Sequence, residues 1–123
     1  MDDETLRDLL QDFGTISIRR MFGGKGLYYD GIIFALVFRD ELLFKADELT
    51  APHFIEAGST QWTYEGRKGG DPVAMPYWNV PGEAFDDPEV MADWARRAYA
   101  AALRSEKTKP PKKTAAKRVP AAE

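Results

Sequence analysis

Seven apolar residues in a row, Ile32, Ile33, Phe34, Ala35, Leu36, Val37 and Phe38, constrain this chain more than any other stretch. A strand with one face in water alternates apolar and polar residues, and this run does not. Asp30-Gly31 precedes it, residue types that suit the positive φ angles of a two-residue type I′ turn. Arg39-Asp40-Glu41 follows it as a weaker turn signal. The expected arrangement is a meander of three strands whose middle member is covered on both faces.

The flanking sequence supplies the other strands. Residues 15–22 place Ile16 and Ile18 on one face and Ser17 and Arg19 on the other. Gly23-Gly24 interrupts this pattern; paired glycines in strand-like sequence mark a bulge, a bend or a close backbone approach. Extended structure resumes over 26–29, so 15–29 reads as one long bent ribbon, and 42–46 completes the meander. Ahead of it, Leu6, Leu9, Leu10 and Phe13 recur at helical spacing and predict a helix over 2–12, stopped by a left-handed Gly14. Behind it, Thr50 caps a short helix with Pro52 in its first turn and Leu49 stapled onto Phe54. Residues 61–65 and 73–80 read as strands joined by a glycine-rich loop over 66–72. Pro76 cannot donate to a ladder, so an edge position or a bulge is expected there. Asp87 caps the last helix, Pro88 opens it, and Met91, Trp94, Ala95, Ala98, Tyr99, Ala102 and Leu103 form its apolar stripe. The order is α-β-β-β-α-β-β-α, an α+β fold with a mainly antiparallel sheet.

Charge divides the chain in two. Residues 1–105 hold 11 of the 17 basic and 18 of the 20 acidic residues, so the body is acidic. Residues 106–123 carry Lys107, Lys109, Lys112, Lys113, Lys117 and Arg118 against two glutamates. We read 1–105 as the domain and 106–123 as a basic Lys/Pro/Ala tail. The tail lacks the apolar surface to offset its ordering entropy, so it is expected to be disordered. The 123 residues include no cysteine, which excludes a disulfide framework and fits a reducing cytoplasm. The acidic start is unlike an export signal, and no apolar run nears the roughly 20 residues that span a bilayer.

Taken together, M-F-G-G-K-G-L-Y-Y-D-G-I-I-F-A-L-V, L-L-F-K-A-D, A-M-P-Y-W-N-V-P and D-P-E-V-M-A-D-W-A-R-R-A resemble the N-terminal domain of the TfoX/Sxy family, named for regulators of natural competence in bacteria. The resemblance runs over residues 6–102. It implies a two-layer fold similar to secretion chaperones, with helices packed on one sheet, and such folds often dimerise. It carries over Met21, Phe22, Gly23 and Gly24, with Asp30 and Gly31 of the turn, as a signature without an assigned role. It brings no catalytic residue. Full-length members have a second, helical domain, in whose place this sequence has its basic tail.

The chemistry-bearing residues are sparse. Lys25 beside Gly23, Gly24 and Gly26 suits a phosphate cradle, but the spacing is not that of a Walker loop and a strand follows, so a backbone bend is the preferred reading. His53 is the only histidine, which leaves no histidine-based metal set or nucleophile pair. Arg19, Arg20, Lys25, Arg39 and Lys45 are scattered through the meander, where charges protect strand edges or, gathered on one face, meet phosphates. Neither a catalytic, nor a cofactor-binding, nor a metal site is expected. The sequence therefore predicts a cytoplasmic, non-enzymatic protein-interaction module, a homodimer or one docking a partner in transcription. The alternative is a weak, sequence-independent nucleic-acid binder acting through the tail lysines. An enzyme with a pocket near Gly23-Gly24 and the 66–71 loop stands third, since nucleophile, metal set and cofactor motif are missing.

Overall fold

A computed structural model describes residues 1–21, 23–64 and 70–108. Helix α1 (Asp3–Leu9) begins where the Asp2 side chain accepts from the Thr5 backbone N–H at 2.8 Å. Four strands follow, β1 (Ser17–Met21), β2 (Gly24–Tyr29), β3 (Ile32–Phe38) and β4 (Glu41–Lys45). Then come α2 (Ala51–Glu56), β5 (Gln61–Tyr64), β6 (Val73–Asn79), a 3-10 turn over Gly82–Asp86, and the long α3 (Pro88–Thr108). All strand pairs are antiparallel, in one sheet of order β1-β2-β3-β4-β6-β5.

The fold class is the expected α+β, but the meander has four strands, where three were expected. The residues read as one bent ribbon are a hairpin: Met21 pairs with Gly24 across a two-residue loop in which Gly23 has φ +78°. Gly24 is fixed by packing. A Cβ there would lie 2.2 Å from the Val37 carbonyl oxygen, so only a hydrogen lets β2 approach β3. The next two connections are also two residues long, Asp30-Gly31 and Arg39-Asp40, with φ of 52° and 80°, then 52° and 64°. Arg39 and Asp40 hold left-handed backbone without glycine, a conformation that costs about 1 kcal/mol per residue.

A bulge gives the central strand its face assignment. Leu27 pairs with Ala35 and Tyr28 with Ile33, leaving Phe34 as the extra residue, so Phe34 and Ala35 both turn toward the helices. That side also receives Leu27, Val37, Leu42, Phe44 and Ala46, packed against Leu6 and Leu10 of α1, Phe54 of α2, and Met91, Trp94, Ala95, Ala98 and Ala102 of α3. The alanines keep α3 slim where it crosses the large Phe34 and Phe44. Phe13, Tyr29 and Tyr99 close one end, with ring centroids 4.9–6.1 Å apart.

Three further expectations change. Leu49 is 63 % exposed and Phe54 fully buried, so the staple between them does not form. Thr50 precedes α2 but makes no side-chain cap bond to it; its Oγ1 accepts from the Asp47 N–H at 3.0 Å instead. Gly14 sits at φ +152°, outside the left-handed helical region, and a Cβ there would lie 2.8 Å from Tyr29. Its role is to let the chain pass the Tyr29 ring, while α1 has already ended at Leu10. Pro76 lies inside β6 where the β5 ladder slips: Gln61 pairs with Trp78, but Thr63 already pairs with Ala74. The bulge reading of Pro76 is therefore the one observed, and β6 is interior. The final helix runs to Thr108, and residues 109–123, most of the basic tail, lie outside the described residues.

Candidate interaction face

The strand register defines a second face that no helix among the described residues covers. Residues paired across the ladder share a face, so Met21, Tyr28, Ile33, Leu36, Phe38, Leu43 and Tyr77 stand together on the side away from the core. None of them belongs to the helix-side cluster. The expectation that β3 is covered on both faces is corrected here. Its helix side is sealed, and Ile33, Leu36 and Phe38 on the other side are half-buried. The unbroken apolar run reflects two apolar faces, of which the chain covers one with helices.

Partial burial on the second face comes from curl. Phe38 on β3 and Trp62 on β5 are three strands apart, about 14 Å on a flat sheet at the usual strand spacing. Their ring centroids are 5.2 Å apart. The sheet therefore bends over this face, and its outer strand β5 leans back toward β3. The hollow closes over Leu43, 2 % exposed, and Tyr77, 7 % exposed. Burial pushes the Tyr77 phenol up to about 12, with the nearby Tyr28 phenol adding to the effect. Gly26 forms the floor nearby: a Cβ there would meet Met21 at 2.8 Å, Ile33 at 3.0 Å and Tyr28 at 3.1 Å.

Cations lie over the aromatic rings of this face. Arg19 sits 5.5 Å from the Tyr28 ring centroid, Arg39 5.2 Å from Phe38, and Lys45 6.0 Å from Tyr77. Three of the five scattered meander cations are thus gathered here. Arg20 and Lys25 face the other way, opposite each other in the ladder. The arrangement is an apolar centre with charged side chains around it, the anatomy of a protein-association surface.

The signature residues shape the sheet rather than line a reaction centre. Met21 ends β1 on the helix-free side, Gly23 and Gly24 make the first hairpin, and Asp30 and Gly31 make the second. Phe22 lies outside the described residues. Of the tail cations, Lys107 is exposed in the last turn of α3, while Lys109, Lys112, Lys113, Lys117 and Arg118 lie outside the described residues. His53 is exposed on α2, and no group of three His, Asp or Glu side chains suited to a metal occurs among the described residues. Of the 66–71 loop, 66–69 lie outside them too.

The sequence reading missed Leu43 and Tyr77 as parts of this face. The available signal was Leu42-Leu43-Phe44, a second run without alternation, which puts apolar residues on both sides of β4 as well.

A second polar feature locks the helix layer. Arg104 of α3 donates to both Asp47 carboxylate oxygens, Nε at 2.5 Å and Nη2 at 3.1 Å. Asp47 Oδ1 also accepts from the Thr50 N–H at 3.1 Å. The Arg104 bonds, with the Thr50 N–H, hold the Asp47 carboxyl down at about 2 despite partial burial.

Comparison with known proteins gives two findings. The family described as TfoX N-terminal domain matches residues 8–102. The Escherichia coli (strain K12) protein Sxy is 27 % identical over 103 residues, covering 84 % of this chain and 48 % of that protein. The chain thus spans about half the length of the curated relative it matches. No helix among the described residues is long and apolar enough to cross a membrane.

Proposed function

Since this chain belongs to the TfoX N-terminal domain family, we propose that it is a non-enzymatic, competence-regulator-like module of the cytoplasm that works by associating with protein through the helix-free face of its sheet. The observation that carries this reading is the apolar face of Leu36, Phe38 and Trp62, partly exposed above the enclosed Leu43 and Tyr77, with Arg19, Arg39 and Lys45 over the face's rings. Its first occupant is a second copy of the chain. A two-fold pairing sets the same surface against itself, so one apolar hollow supplies both halves of the interface. Light scattering on the full chain tests this. A dimer that Leu36→Glu converts to a monomer, with unchanged circular dichroism, supports the reading. A wild-type protein that stays monomeric at high concentration removes the homodimer and leaves the face to a transcription-associated partner.

The lysine-rich sequence from Lys107 onward favours a second reading, non-specific contact with nucleic acid. It predicts DNA affinity that falls with salt at a slope of about −0.9 for each phosphate contacted. Removing residues 109–123 abolishes that affinity if the reading holds. Equal binding by the shortened chain rejects it.

A further inference from the structure

The first hairpin tip and the third meet at an open recess of about 510 Å³ at one end of the sheet, lined from both faces. It is lined by Arg20, Lys25 and Arg39 against a single carboxylate, Asp40, with Gly23, Gly24 and Val37 forming apolar wall. Arg20 and Lys25 are direct cross-strand partners on β1 and β2. Like charges placed opposite each other on a sheet face are destabilising, and Asp3, paired with Lys25 and within electrostatic reach of Arg20, offsets part of that cost.

The charges around the recess do not cancel. Lys25, whose side chain is only 16 % exposed, is satisfied by Asp3 Oδ1 at 2.8 Å and the Met1 carbonyl at 2.8 Å. Asp40 pairs with the Met1 amino group. Arg20 and Arg39 have no ion pair among the described residues. Arg39 lies over the Phe38 ring, 5.2 Å from its centroid, and a stacked guanidinium can still donate from its edge N–H groups to an oxyanion. In an otherwise acidic body, this is a concave site where Arg20 and Arg39 make no direct ion pair among the described residues, Asp3 acts on Arg20 only at longer range, and Lys25 stands as a third cation in the wall. Gly23 stands at the mouth with φ +78° and open space around it among the described residues.

We propose that this recess binds a small phosphate-bearing ligand, with Arg20 and Arg39 as its phosphate contacts and Lys25 as a fixed charge behind them. A phosphate dianion would add counter-charge beside Arg20 and Arg39, and the volume falls in the range of sites that hold nucleotide-sized molecules. The volume of the recess matches a free small molecule rather than a polymer, and the duplex DNA arm of the test below separates the two. The recess shares Arg39 with the association face, while Arg20 and Lys25 face the opposite side of the sheet, so loss of phosphate binding in an Arg20→Gln variant with unchanged light scattering separates the two readings.

The test uses the full chain, titrated with pyrophosphate and with a nucleoside triphosphate by calorimetry and thermal melting, against sodium chloride at matched ionic strength. Saturable binding and a rise in Tm that chloride does not reproduce are expected. Arg20→Gln with Arg39→Gln lowers affinity at least tenfold, and both side chains are exposed, so the unliganded Tm stays put. Gly23→Asp, which sets a carboxylate at the mouth, lowers affinity by itself, while Arg96→Gln on α3 leaves it unchanged. Equal affinity for the two probes makes phosphate the whole of what is read; tighter nucleotide binding adds the nucleoside. Three results overturn the proposal: a Tm rise matched by chloride, undiminished binding by the double variant, or displacement of the nucleotide by duplex DNA at equal phosphate.

Discussion

The two faces of the sheet are built from the same strands but reach their burial by different routes. On the helix side, Phe34, Phe44 and Leu27 are fully enclosed because three helices lay apolar side chains on them. On the other side, Ile33, Leu36 and Phe38 are half-buried because the sheet bends and brings Trp62 over Phe38. The first route seals side chains inside a packed layer, where every lost methylene leaves a cavity. The second leaves a surface that is apolar in the centre and still reachable. A strand read as greasy all round thus serves two layers, one internal to the chain and one facing outward.

That contrast breaks first at Phe34. Phe34→Ala empties a site ringed by Phe13, Phe44 and Tyr99 and is expected to cost about 4 kcal/mol in urea unfolding. A loss under about 1 kcal/mol would mean that the helix side is not the closed core described above. Next is Gly24→Ala, where the added methyl collides with the Val37 carbonyl and must part β2 from β3, at about 2–3 kcal/mol.

The clasp on the helix side has a smaller, pH-dependent share. Asp47 titrates below its ordinary 3.8 in the folded chain, so its contribution is complete above about pH 4 and is lost as the pH falls toward 2. With the pair partly open to solvent, the loss is about 1 kcal/mol. Asp47→Asn should remove that acid-side slope from the stability curve, which stepwise urea titrations between pH 5 and 2 would measure.

The smallest expected effect on folding falls on the outward face. Leu36→Ser should cost about 1 kcal/mol or less, since its side chain is already half in water. Its consequence belongs to association, read by sedimentation. A large folding penalty with no change in association would erase the distinction between the two faces.

Much of this architecture is legible in residue order. Asp30-Gly31 announces its turn, Asp87-Pro88 announces α3, and the α3 stripe names the side chains that meet the sheet. What escaped has physical reasons. Gly23-Gly24 signals a break, but a bend and a hairpin need the same backbone freedom, so the extra strand emerges only from pairing. Arg39 and Asp40 adopt positive φ without glycine, held there by tertiary context. The outward face is legible as composition but not as a site, because curl is a property of the whole sheet. The recess at the hairpin tips draws Arg20 from β1 and Arg39 from the turn between β3 and β4, which no local spacing reveals.

The three successive two-residue connections have a bearing on how the chain acquires its shape. The ladders among β1 to β4 all join strands consecutive in the chain, over 29 residues, so each of them can close without a long excursion. Joining β6 to β4 must instead wait for everything between Lys45 and Tyr77 to loop back. The meander is therefore the early template of assembly. A ribosome that has released little more than the first half of this sequence has already produced the platform onto which the remainder settles.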